Sequence, residues 1–423
     1  MAIDDRSDSR ADQPPAARRS MISSLRIRNY RLYFFGQSIS VAGNWMQSVA
    51  AGWLTLQLTD NGALLGLIVA ARYLPVLLLG PWGGVVVDRV DKLRLLAVTQ
   101  SISTLLTAAL GVLALTGLID LWSLFALITV LGLVNVLDGP ARQSLISNLV
   151  PRELLPNAIA LNSIAMNVSR VLGPAASGAL IATVGVALCF LANAVSFVVV
   201  IVLLLLMRRT EFVGEKLAKK AKGQIREGFS YVARTPEMLL PLLLVAVTGT
   251  FTWEYPVSLP LLTTETFGQG AEAYGLALAS LGVGCVIGGF ITARAAEPTT
   301  ASMSRIAVCW GGTMLVLGFA PTLWLAYVLL VPVGVFAVMF NASAKTVLQL
   351  TAPSEMRGRV MSLWSMGWQG STVIGAPLIG AVGEALDARA SVWTGGVAAG
   401  LFGLLAMLWL RRRTRRRIES GTR

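Results

Sequence analysis

The 423-residue chain contains no histidine. That excludes every metal site, general base and catalytic triad built on an imidazole. There are only three cysteines, Cys189, Cys285 and Cys309, each within an apolar run. They read as small packing residues rather than a disulfide framework. Charge is scarce as well: 13% of residues are charged, against roughly a quarter in soluble proteins. With 55% hydrophobic residues and a mean hydropathy of +0.69, the chain is too apolar for a soluble globule. It has no Gly-x-x-x-x-Gly-Lys-[Ser/Thr] loop, so ATP coupling within the chain is not expected. No zinc-protease motif and no clustered nucleophile–base set occur either, so no enzyme, metal site or cofactor is expected.

What the chain does have is apolar runs of the length a bilayer demands, about 17–25 residues. They fall at 32–58, 63–87, 95–118, 122–137, 158–184 and 187–207, then at 239–262, 275–293, 306–320, 324–342, 360–382 and 392–410. The expectation is an all-α integral membrane protein of twelve transmembrane helices. The net charge of +13 would suit nucleic acid, but its distribution does not. Alternate gaps between spans hold 32 of the 35 Lys and Arg residues. The opposite gaps hold Arg389 and six acids, Asp60, Asp120, Glu265, Glu272, Glu384 and Asp387. This is the positive-inside asymmetry, and it predicts a multi-pass inner-membrane protein with both termini cytoplasmic. Residues 1–30 are charged and lack an apolar core, which predicts a disordered cytoplasmic arm and no cleaved signal peptide.

The chain also repeats itself. Nine of the 29 residues 151–179 recur at an offset of 202, among them Pro151/Pro353, Leu161/Leu363, Ser169/Ser371, Gly173/Gly375 and Gly178/Gly380. Two pseudo-symmetric six-helix bundles follow, at 31–207 and 238–410, with a substrate site between them as in duplicated transporters. The polar interval 208–237 carries Lys216, Lys219, Lys220 and Lys222, then Ile225, Phe229 and Val232 at helical spacing. It reads as a linker with a basic amphipathic helix on the membrane surface. The tail 411–423 begins with six arginines in seven residues, suited to topological anchoring and anionic lipid. Closely spaced glycines suit close helix packing, and Gly173-Pro174 and Ala376-Pro377 also permit bending.

Two segments carry a family resemblance. Gly84-Val85-Val86-Val87-Asp88-Arg89-Val90-Asp91-Lys92-Leu93-Arg94 resembles the loop signature between helices 2 and 3 of the major facilitator superfamily, with Asp91 where glycine is usual. Ser169-Arg170-Val171-Leu172-Gly173-Pro174-Ala175-Ala176-Ser177-Gly178 resembles the helix-5 antiporter motif of its exporters. Further segments, 138–143, 150–154, 226–232 and 355–362, resemble the branch of enterobactin exporters and macrolide efflux proteins. The resemblance implies alternating-access export of a partly apolar small molecule driven by an ion gradient. It also implies that Asp88 forms a gate latch with the start of helix 11 near Arg357 and Arg359. Many proton-coupled relatives carry an arginine in mid-helix 4; span 122–137 has none, and Arg142 lies near its end.

Charges inside spans are costly and mark functional candidates. Three stand out: Arg72, Arg170 and Glu254, the last as the only carboxylate well inside a span. Glu254 is a candidate for exchanging protons or binding a cationic substrate group, or else an unpaired residue near a cavity mouth. Arg72 and Arg170 either bind an anionic group, pair with Glu254, or lock the bundle through backbone carbonyls. Asn44, Gln47, Asn162, Asn167 and Gln369 are polar cavity candidates. Trp45, Phe251, Trp253, Tyr255, Trp364 and Trp368 are candidates for apolar lining, packing or interface anchoring. The favoured expectation is a monomeric, proton-coupled secondary exporter; an importer or flippase of the same fold, and a membrane sensor, are the alternatives.

Overall fold

The computed structural model describes residues 22–87, 89–212, 231–232, 235–353 and 356–421, without the side chains at 81, 358, 414 and 416–421. The N-terminal arm up to residue 21, Asp88 and most of the linker lie outside the described residues. The expected disordered arm, surface helix and Asp88 latch fall there.

Every regular element described is helical. In chain order, the first half contains α1 (Arg28–Thr59), α2 (Gly62–Val87), α3 (Lys92–Leu115), α4 (Leu121–Leu149), α5 (Leu155–Val184) and α6 (Val186–Leu205). The second half contains α7 (Pro236–Phe251), α8 (Tyr255–Leu261), α9 (Ala271–Arg294), α10 (Thr300–Gly318), α11 (Leu323–Thr351), α12 (Arg357–Ser365), α13 (Thr372–Ala385) and α14 (Ala388–Gly421). Long Leu, Val, Ile and Ala runs form these helices because a segment in lipid must bond its own backbone polar groups. Their ends carry local stop and start signals. Asp120 and Thr299 close capping boxes at α4 and α10, and Gly185, at φ 89°, ends α5 in a conformation that favours glycine.

Nine described helical stretches are long and apolar enough to cross a membrane. The stretches around α1, α10 and α12–α13 are not among them. They are shorter or interrupted, or, like α1, rich in Asn, Gln, Ser and Arg. The packing repeats as the sequence does. In the first half α3 packs on α6, α2 on α4, and α1 on α5 and α6; in the second, α10 packs on α14, α9 on α11, and α7 on α13 and α14. The halves meet through α5 with α9 and α2 with α13, which exchange under the repeat. The second-half core centres on Trp310, Tyr274 and Phe340, with Trp310 Nε1 donating to Tyr255 Oη at 2.8 Å.

Three expected spans are corrected. The fourth does not end at 137, because α4 runs on through Pro140 to Leu149. Proline lacks an N–H and frees the carbonyl four residues back, here that of Val136. This oxygen packs against Gly83 of α2, where a Cβ would collide with it. Asp138 and Arg142 are therefore inside a membrane helix, so Glu254 is not the only carboxylate within a span. The seventh span is broken between α7 and α8 at Thr252–Glu254, since Pro256 cannot continue the amide ladder. The eleventh is interrupted by a π-turn at Met366–Gly370. The basic tail continues α14 as helix to Gly421.

Candidate functional site

A cavity of about 300 Å³ lies between the two halves at mid-helix, at the small end of the ~300–1,000 Å³ range of ligand sites. The first half contributes Trp45 and Ser48 from α1, Val69 and Tyr73 from α2, and Arg170 and Pro174 from α5. The second contributes the α7–α8 break, Trp253 to Pro256, then Leu278, Leu281 and Cys285 from α9, and Trp368, Gln369 and Thr372 around the π-turn. Interrupted helices thus supply two of its walls. Such breaks direct side chains and backbone groups into a cavity, where irregular backbone is tolerated.

Arg170 and Glu254 are both there, and among the described residues no ion pair joins them. The Arg170 guanidinium carbon lies 5.2 Å from the Trp45 ring centre and 5.7 Å from that of Trp253. Its Nε has no hydrogen-bond partner. Pro174 frees the Arg170 carbonyl, which faces Gly282 of α9, 3.1 Å from where a Cβ would sit. The bend expected at Gly173-Pro174 is thus covered by the opposite half. Glu254 is 2% exposed, with Oε1 unpartnered and the Thr372 hydroxyl beside its carboxyl. The Trp253 ring packs on Trp368 at 4.8 Å and edge-on to Tyr255 at 5.5 Å. An unpaired cation and an unpaired acid therefore share one aromatic cavity.

Other expected residues lie elsewhere. Gln47 is a correction: it is buried within the first half, accepting from Asn193 Nδ2 at 2.5 Å and Thr107 Oγ1 at 3.3 Å. Asn44 and Asn167 donate to carbonyls one turn back in their own helices, which satisfies their amides away from the cavity lining. Arg72 is not in the lining; its backbone packs on Gly132 of α4. Gln369 does line the cavity, and its Nε2 donates to Ser365 Oγ at 3.1 Å. Gly173 packs on α1 at Ala42 and Trp45, and Gly178 on α9 at Ala271 and Glu272. Phe251 and Trp364 are not in the lining either; Trp364 carries Lys345 over its ring at 5.6 Å.

Of the loop signature, Gly84 lies in the last turn of α2, Arg89 sits in the turn after the helix, and Lys92 and Arg94 begin α3. Asp91 caps α3 by accepting from the Arg94 amide at 2.8 Å and pairs with Arg209 at 3.1 Å. Glycine at that position would do neither. Arg357 and Arg359 open α12.

One charged cluster was missed from sequence. Asp138 Oδ2 meets Arg142 Nε at 2.5 Å, and its Oδ1 accepts from Thr99 Oγ1 and Gln100 Nε2 at 2.7 Å each. Arg142 also donates to Gln37. The i, i+4 spacing of Asp138 and Arg142 was the available signal, hidden by ending the fourth span at residue 137. The cluster is internally paired and lies apart from the cavity.

At the end carrying Asp60, Asp120 and Asp387, the halves touch directly. Gly62 and Gly380 abut, and a Cβ on Gly62 would lie 2.9 Å from the Gly380 carbonyl. Glu384 Oε2 accepts from the Gly62 amide at 2.7 Å and Oε1 from Asn61 Nδ2 at 3.2 Å. Met166 of α5 and Met366 of the π-turn are each 46% exposed.

The profile of the transmembrane secretion effector family matches residues 19–420. The chain is similar to the staphyloferrin A transporter of Staphylococcus aureus, at 26% identity over 79% of this chain and 85% of that protein. The multidrug efflux pump Tap of Mycolicibacterium fortuitum is 26% identical over 89% and 94%. The enterobactin exporter EntS of Shigella flexneri is 26% identical over 90% and 91%. Among solved structures, a POT family transporter with a bound conjugated peptide superposes with a TM-score of 0.73 at 12% identity, covering 91% of this chain and 96% of that one. The fold, the inter-half cavity and this match over nearly the whole chain make it a member of the transmembrane secretion effector family of the major facilitator superfamily, in the branch of the enterobactin exporters: a multi-pass membrane transporter of small molecules and not an enzyme.

Proposed function

We propose that the chain exports a partly apolar small molecule, siderophore-like or drug-like, by alternating access between two six-helix bundles, driven by protons. All twelve spans cross the membrane in this reading, with both termini cytoplasmic, as the basic gaps favour. The acidic end then faces outward, and the arrangement described is closed outside. The observation that carries the reading is the cavity at the junction of the halves, with Arg170 and Glu254 unpaired inside it. A carboxyl sealed from water with one free oxygen is the proposed proton carrier, since intramembrane acids serve proton relays. The staphyloferrin A and enterobactin relatives support a siderophore-like cargo, and the Tap pump a drug-like one. Asp88 with the start of α12 is the proposed inner latch. The basic tail is proposed to meet anionic lipid beside the Arg413–Glu237 pair, whose N–O distance is 2.5 Å.

The test is uptake of labelled siderophores and drugs into inside-out vesicles, with and without an uncoupler. Uncoupler-sensitive accumulation is expected. Movement that ignores the gradient would rule out a coupled exporter, and accumulation only in right-side-out vesicles would mean import.

A further inference from the structure

The cavity presents one accessible charge, and it is positive. Glu254 is sealed at 2% exposure, whereas Arg170 is half-buried and lines the open space. No carboxylate among the described residues neutralises Arg170. Its guanidinium is flanked instead by two indoles, at 5.2 and 5.7 Å, and its Nε donates to nothing. Cation–π contacts return only part of the hydration that a buried cation loses. They do orient the guanidinium, and they leave its planar set of donors free. That set matches a carboxylate through two parallel hydrogen bonds. A planar group attached to such a carboxylate would lie among Trp45, Trp253 and Trp368. Amphiphilic cations, by contrast, would meet an uncompensated positive charge there.

We infer that the cavity selects planar unsaturated carboxylates and rejects lipophilic cations, with Arg170 as the anion receptor. The inference rests on the reading of this cavity as the substrate site, and it narrows the cargo proposed above to molecules that carry a planar carboxylate.

Three isosteric probes test it by calorimetry on the purified full chain in lipid nanodiscs: 2-naphthoate, 2-naphthamide and 2-naphthylmethylammonium. Naphthoate is expected to bind at least about tenfold more tightly than the amide, ~1.4 kcal/mol, and the ammonium more weakly than either. Arg170→Gln should level the carboxylate and amide affinities. Equal binding of the three, tighter binding of the ammonium, no binding by any of them, or a carboxylate preference that survives Arg170→Gln would overturn the inference. The ranking in the unaltered chain decides the matter even if the variant fails to assemble. Because binding is read at equilibrium, the exporter reading fails separately: carboxylate binding without gradient-driven transport would sink only that reading, and transport with a cation preference only this one.

Discussion

Glu384→Gln should loosen the acidic end of the transporter by a calculable amount. The carboxylate belongs to α13, and the groups it bonds, the Gly62 amide at 2.7 Å and the Asn61 amide at 3.2 Å, belong to the other half. In the proposed alternating-access cycle the contact therefore forms only while that end is closed. A hydrogen bond to a charged group contributes about 1.5–3 kcal/mol when shielded. Glu384 is exposed, and screening reduces such pairs towards ~1 kcal/mol. The start of α2 adds attraction for the negative charge of a similar or smaller size. Glutamine keeps the shape and one acceptor but loses the charge, so about 1 kcal/mol should be lost, a factor of about five in the balance between closed and open. A contact made in one state only shifts populations by its own worth. Spin labels at Leu118 and Phe319, 72% and 69% exposed and on opposite halves at this end, would report the shift by pulsed electron resonance. About a fivefold rise in the odds of the long-distance population is expected. Odds unchanged within a factor of two, or a shift to shorter distances, would refute the reasoning.

Asp138→Ala strands Arg142, whose side chain is 12% exposed, so thermal stability in detergent should fall by about 3–5 kcal/mol; the double variant Asp138→Leu/Arg142→Leu should recover much of it. Gly173→Leu drives a side chain into Ala42 and Trp45, where a Cβ alone would lie 2.6 and 2.7 Å away. Overpacking costs about 1–3 kcal/mol, and transport should be lost in vesicles that still contain the protein. Asp120 caps α4, and the Ser123 hydroxyl and amide hold its carboxyl below the usual carboxylate range. That stabilisation is present at neutral pH and fades as pH falls through the depressed value, so Asp120→Asn should flatten the acid side of the melting profile. Asp88→Asn should retain membrane insertion yet lose most transport, and unchanged transport would sink the inner latch.

Much was readable along the chain because lipid is a severe solvent. A charge within an apolar run is costly enough that Arg72, Arg170 and Glu254 stood out by their position along the chain; the last two line the cavity and Arg72 does not. Of the aromatics that offered lining, packing or anchoring, Trp45, Trp253, Tyr255 and Trp368 line the cavity and Phe251 and Trp364 do not; of the repeat-related pair Asn167 and Gln369, only Gln369 does. Apolar run length and the asymmetry of Lys and Arg determined a helical membrane protein without any fold in view. What tertiary packing alone decided is the direction each polar group takes around its helix axis, and with whom it pairs. Gln47 turns to Asn193 rather than to the cavity, because α6 lies on that side of α1. Asp138 and Arg142 sit inside α4 because Gly83 lets α2 cover the carbonyl that Pro140 frees. Arg170 stacks on indoles instead of joining Glu254, since the break before Pro256 places Trp253 against it. Each of these depends on groups far apart in sequence meeting at van der Waals distance, which period, length and charge along the chain do not encode.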